Sequence, residues 1–107
     1  MVMKSKINED FKESYLDFLN SLKKDKPYTY FPVKKGNTEE GKKIELGFSC
    51  FAIKSLYIID EWRNISENQK KSWLNFINEF QNNDNENFSE SSFIDLNYLK
   101  SINKFSP

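Results

Sequence analysis

Histidine is missing from this chain, which removes Ser-His-Asp and Cys-His catalysis and every histidine-ligated zinc or iron site. Cys50 is the lone cysteine, so neither an intramolecular disulfide nor a thiolate metal cluster can form. Arginine occurs once, at Arg63, and glycine and proline three times each. No apolar run reaches the roughly 18–20 residues that span a bilayer, and Met1 to Lys6 has no apolar centre of the signal-peptide kind. A reducing, cytoplasmic setting without a membrane span is the expectation. Sixteen basic residues offset sixteen acidic ones, so no net field draws the chain toward nucleic acid or an anionic membrane.

What is present is aromatic bulk. Ten Phe stand within an aromatic content of 16%, enough large side chains for a core in a chain of 107 residues. That length accommodates one domain, so residues 1–107 are read as a single small helical domain or as the N-terminal fragment of a larger one. From Ile7 the apolar positions Phe11, Tyr15, Phe18 and Leu22 recur at helical spacing, predicting a helix over about 6–24. Lys23 and Lys24 suit its negative end, and Pro27 stops continuation. Residues 27–33 then read as an extended aromatic segment and 34–43 as a polar loop.

Residues 44–62 are apolar on nearly every side of a helical wheel, which predicts a central, buried helix. After a short link, Ser66 and Gln69 form an S-x-x-Q capping box opening a helix whose apolar face is Trp73, Phe76, Ile77 and Phe80. Leu74 sits beside that face, while Lys70, Lys71, Asn75, Asn78 and Glu79 are expected in water. The two helices, about 47–62 and 67–81, should form an antiparallel αα-hairpin. Residues 82–90 read as an exposed turn, and Ser91 or Ser92 as the cap of a last helix bearing Phe93, Leu96, Leu99 and Ile102. The expected fold is all-α, with three to four helices and no sheet.

Three stretches, Leu46 to Lys54 followed by Trp62, Trp73 to Gln81, and Phe93-Ile94-Asp95, resemble an αα-hairpin of the (α/α) toroid proteins, the terpene-cyclase and prenyltransferase-like barrels that include glycan-active enzymes. The second helix reads W-x-x-F-I-x-x-F-Q, as in those repeats, and residues 44–96 carry the likeness. The turn departs from the pattern, since Asn82 to Asn85 contains no glycine, and 107 residues are too few to close a ring. The resemblance implies a partial toroid, and it transfers no catalytic residue because the matching positions are structural.

Candidate chemistry is sparse. Cys50 has no histidine to deprotonate it and reads as a small core hydrophobe. Gly47 to Phe51 lacks the second glycine of a nucleophile elbow. Asp60, Glu61, Asp84, Glu86 and Asp95 are carboxylates without the glycine and terminal glutamate of a calcium loop, and read as solvated surface. No cofactor or metal is expected. Residues 23–43 carry a net charge of +4 and residues 60–95 one of −5. The first stretch interleaves lysines with aromatics but holds no arginine, an argument against a nucleic-acid partner. Tyr28, Tyr30, Phe31, Trp62 and Trp73 are the candidate ligand or partner surface. The leading expectation is a non-catalytic helical module or toroid-like fragment acting through a homo-oligomer or a larger protein partner. The alternatives are an accessory or degenerate member of a glycan- or isoprenoid-processing toroid enzyme, and a small single-stranded nucleic-acid-binding protein.

Overall fold

A computed structural model of the chain describes residues 8–81, 88–89 and 92–103, and the fold is all-α. The elements in order are α1 (Glu9–Ser21), α2 (Glu39–Lys43), α3 (Leu46–Ile58), a 3-10 turn (Trp62–Asn64), α4 (Glu67–Asn78) and α5 (Leu96–Asn103). Helix α2 is an addition to the expected set, standing where a loop was read. Thr38 opens it by accepting a hydrogen bond from the Gly41 amide at 2.9 Å, and acidic Glu39 and Glu40 meet its positive end.

Asn8 opens α1, its side-chain oxygen accepting from the Asp10 and Phe11 amides. The helix ends at Ser21, before Lys23 and Lys24, which therefore do not sit in its last turn. The chain reverses instead: the Phe31 amide donates to the Leu22 carbonyl at 2.7 Å and the Lys24 amide to that of Thr29 at 3.0 Å. Tyr28 takes φ 68° at the tip of this reversal, a left-handed conformation that costs a tyrosine about 1 kcal/mol or more. Its ring stacks on Trp73 with centroids 5.1 Å apart, a contact that offsets the strain.

Helix α3 ends at Ile58 although apolar residues continue past it. Asp60 adopts φ 64°, the Glu61 amide donates to the Leu56 carbonyl at 2.7 Å and the Asp60 amide to that of Tyr57 at 3.1 Å. This is a Schellman ending with aspartate where glycine is usual. The expected burial of this helix holds for one face only. Ser49, Ala52, Ser55, Leu56 and Ile59 are buried, while Cys50, Phe51, Tyr57 and Ile58 are exposed. Cys50 is thus not a core residue.

The Ser66 hydroxyl accepts from the Gln69 amide at 3.2 Å and opens α4 where the capping box put it. Trp73 and Phe76 are buried, Ile77 and Phe80 half-buried, and Leu74 exposed. Lys70, expected in water, is half-buried with its ammonium 5.7 Å from the Trp62 ring centroid. The expected turn at 82–87, and Ser91, lie outside the described residues. Ser92 does not cap the last helix, since its hydroxyl donates to the Ser89 carbonyl at 2.7 Å. Phe93 stands before α5, bridged to Gln81.

Asp95 opens α5 by accepting from the Asn97 amide at 3.0 Å, and its other oxygen accepts from the Glu45 and Leu46 amides at 2.7 and 2.9 Å. One carboxylate thus satisfies the exposed amides of two helices, and α3 has no cap from its own N-cap residue. Asp95→Ala should lower the unfolding free energy by about 1–3 kcal/mol and increase hydrogen exchange at the Leu46 amide, read by urea denaturation and exchange NMR.

Candidate functional site

Four of the five expected surface residues come together, in the core. Trp73 is buried, stacked against Tyr28 and, with centroids 6.2 Å apart, against Tyr30, while Trp62 meets its edge at 5.6 Å. The indole Nε1 donates to the Ser49 hydroxyl at 2.7 Å, so the one polar atom of the ring is satisfied inside the core. The face between α3 and α4 is consequently filled by packed side chains. Burial pushes the Tyr30 phenol up to about 12.

Phe31, the fifth, turns away to a different place. It forms part of the wall of a half-open cavity of about 520 Å³ at the corner where the 30–32 segment, α1 and the start of α3 converge. Leu19 and Leu22 form its α1 side, and Leu46, Gly47, Phe48 and Phe51 its α3 side. Phe93 and Tyr98 close it from the C-terminal segment. Asp95 is the single charged residue of the wall, and three backbone amides already occupy its carboxylate. A signal for this site existed in the sequence: Gly47 sits amid bulky apolar residues on a helix, and a Cβ placed there meets no atom within 4 Å.

Phe51 also borders a second, smaller groove of about 250 Å³, shared with Phe11 and Tyr15 of α1 and Ile58 of α3. Phe51 lines both hollows.

The charged candidates disperse. Asp60 pairs with Arg63 at 2.6 Å, and Glu61 pairs with Lys12 at 3.2 Å. Asp95, expected at the solvated surface, is buried. Asp84 and Glu86 lie outside the described residues, among which no group of three or more metal-ligating side chains forms. In the basic stretch Lys26 pairs with Glu45 at 3.1 Å and Lys42 with Glu39 at 3.2 Å, while Lys23, Lys34, Lys35 and Lys43 are exposed. Lys24 differs from these. It is half-buried, its ammonium donates to the carbonyls of Lys42 and, at 3.4 Å, Ile44, and desolvation pulls its pKa down. The Cys50 thiol is pushed up by partial burial, so it is a weak nucleophile even though the residue is exposed.

No protein-family model, curated protein or solved structure matches the chain. No helix among the described residues is long and apolar enough to cross a membrane.

Ser49→Ala should destabilise the fold by about 1–3 kcal/mol in urea denaturation, because it strands the buried Trp73 N–H. Tyr30 sets an alkaline limit. Folding favours its neutral phenol, so that contribution is intact below pH 10.0 and is lost as pH rises from 10.0 toward about 12. The difference in thermal midpoint between the wild type and Tyr30→Phe should therefore be flat below pH 10 and move against the wild type across that window.

Proposed function

We propose that the chain is a non-catalytic helical module that works by associating with a second copy of itself through the apolar face of α1 and α3. One observation carries the reading. Phe11 and Phe18 on α1 are 54% and 45% exposed, and Phe51 and Ile58 on α3 are 48% and 62% exposed. Phe11, Phe51 and Ile58 border the same groove, and Phe18 adjoins them through Tyr15, with ring centroids 6.2 Å apart. Single exposed hydrophobics are ordinary on a monomer, but a contiguous patch of this kind marks an interaction surface.

A second copy suits the patch because two-fold pairing sets the same surface against itself. Net charge is zero, so copies do not repel, and a stretch at +4 can face one at −5. The likeness to toroid hairpins supports the same reading, since a partial toroid leaves bare the faces that neighbouring hairpins would cover. A reducing, cytoplasmic setting accords with a single unpaired cysteine.

Molar mass by light scattering should rise from monomer to dimer across a micromolar to millimolar concentration series. Ile58→Glu should shift the midpoint at least tenfold upward with unchanged circular dichroism, since burying one such side chain contributes about 1.5–3 kcal/mol. A wild-type monomer at every concentration overturns the proposal.

A further inference from the structure

The larger cavity asks for a different occupant from the one proposed for the face of α1 and α3. At about 520 Å³ it falls in the roughly 300–1,000 Å³ range of small-molecule sites. Its wall is apolar apart from two tyrosines and an aspartate whose carboxylate is already hydrogen-bonded to backbone. A peptide entering there would bring N–H and C=O groups that such a wall leaves largely unpaired, at a cost of about 1–3 kcal/mol each. A hydrocarbon chain brings none.

A charge stands beside two of the wall residues, although Lys24 does not itself line the cavity. The Lys24 ammonium lies 5.5 Å from the ring centroid of Phe31 and donates to the carbonyl of Ile44, and both residues are part of the cavity wall. Among the described residues three lysines are half-buried, namely Lys12, Lys24 and Lys70. Lys12 and Lys70 pair with Glu61 and Glu67, whereas Lys24 pairs with no carboxylate. Its neighbours Glu45 and Asp95 are engaged elsewhere, Glu45 with Lys26 and Asp95 with backbone amides. An ammonium has three donor positions, and the carbonyls of Lys42 and Ile44 take two.

We propose that this cavity binds a single-chain anionic amphiphile, a free long-chain fatty carboxylate, whose hydrocarbon chain lies against Leu22, Phe48, Phe51 and Phe93 while its carboxylate meets Lys24. The proposal rests on the cavity and on Lys24; it shares Phe51 with the self-association face, whereas Ile58, the residue that tests association, lies outside the cavity.

The test is calorimetric titration of the full chain with hexadecanoate below its micelle concentration, repeated on Ile58→Glu so that association and ligand binding read out separately. Saturable one-to-one binding is expected in both. Gly47→Leu fills the cavity from a wall position where added atoms meet open space, and replacing a helical glycine raises helix propensity, so it should keep or raise the thermal midpoint while abolishing binding. Lys24→Met should weaken binding about tenfold and Lys24→Arg should restore it, as expected for a charge-assisted contact. Hexadecyltrimethylammonium, of equal chain length and opposite charge, should bind at least tenfold more weakly. Absence of saturable binding, a Gly47→Leu variant that binds like wild type, or equal affinity for the cationic amphiphile each overturns the proposal. So does association that occurs only with fatty-acid vesicles, which would make the site a membrane-surface contact.

Discussion

The core is organised around Trp73. Its ring touches the reversal after α1 through Tyr28 and Tyr30, the 3-10 turn through Trp62 and helix α3 through Ser49, so one side chain of α4 joins four parts of the chain. Among the described residues no strand ladder shares that work, and the bridges at Lys23–Tyr30 and Gln81–Phe93 are isolated. An indole at the centre of a core needs an acceptor for its N–H and a small surface to lie against. Helix α3 supplies both, since the face it buries carries Ser49, Ala52 and Ser55 at three-residue intervals. Each serine is also bonded to an aromatic polar handle, Ser49 to Trp73 and Ser55 to the Tyr15 hydroxyl at 3.0 Å.

That arrangement explains the inversion of α3. A helix apolar on all sides is normally central, but here much of the core comes from the aromatics of its neighbours, and the face α3 buries carries the small Ser49, Ala52 and Ser55 beside Leu56. Three of its larger residues, Phe51, Tyr57 and Ile58, face outward. The same packing leaves Cys50 exposed. Two long-range contacts then fix the corner beside this face: Asp95 caps the start of α3, and Lys24 holds the carbonyls of Lys42 and Ile44 at the end of α2. Asn97 adds a bond to the Lys43 carbonyl at 3.2 Å. Helix ends satisfied by distant side chains become rigid walls, and the 520 Å³ cavity lies against them.

Local signals in the sequence were legible. The periodicity of Phe11, Tyr15, Phe18 and Leu22 marks α1, and Ser66 with Gln69 marks the start of α4, because spacing and capping involve residues within a turn of one another. The ends of α1 and α3 were not, for opposite reasons. Lys23 and Lys24 look like C-terminal helix residues, yet Lys24 finds better acceptors eighteen and twenty residues away. Asp60 terminates α3 by entering a left-handed conformation that aspartate tolerates but does not announce. The cap from Asp95 to Glu45 and Leu46 spans about fifty residues, and no pattern in sequence reports so distant a partner. The cavity is a product of these non-local contacts, so Phe31 was singled out by its type and Gly47 leaves a local signal, while Leu46, Phe93 and Tyr98 become visible only in three dimensions.

Phe51 is where both proposed activities meet, since it lines both the cavity and the smaller groove. Covering a large apolar side chain contributes about 1.5–3 kcal/mol, and a small domain has a net stability of only about 5–15 kcal/mol. Phe11, Phe51 and Ile58 are each about half exposed, so covering what remains of them against a second copy is worth a few kcal/mol, a sizeable fraction of the whole fold. Whatever binds the native chain and not the unfolded one raises its stability in proportion to occupancy. A chain that leaves Phe51 and Ile58 exposed on its most apolar helix couples its own persistence to what covers them.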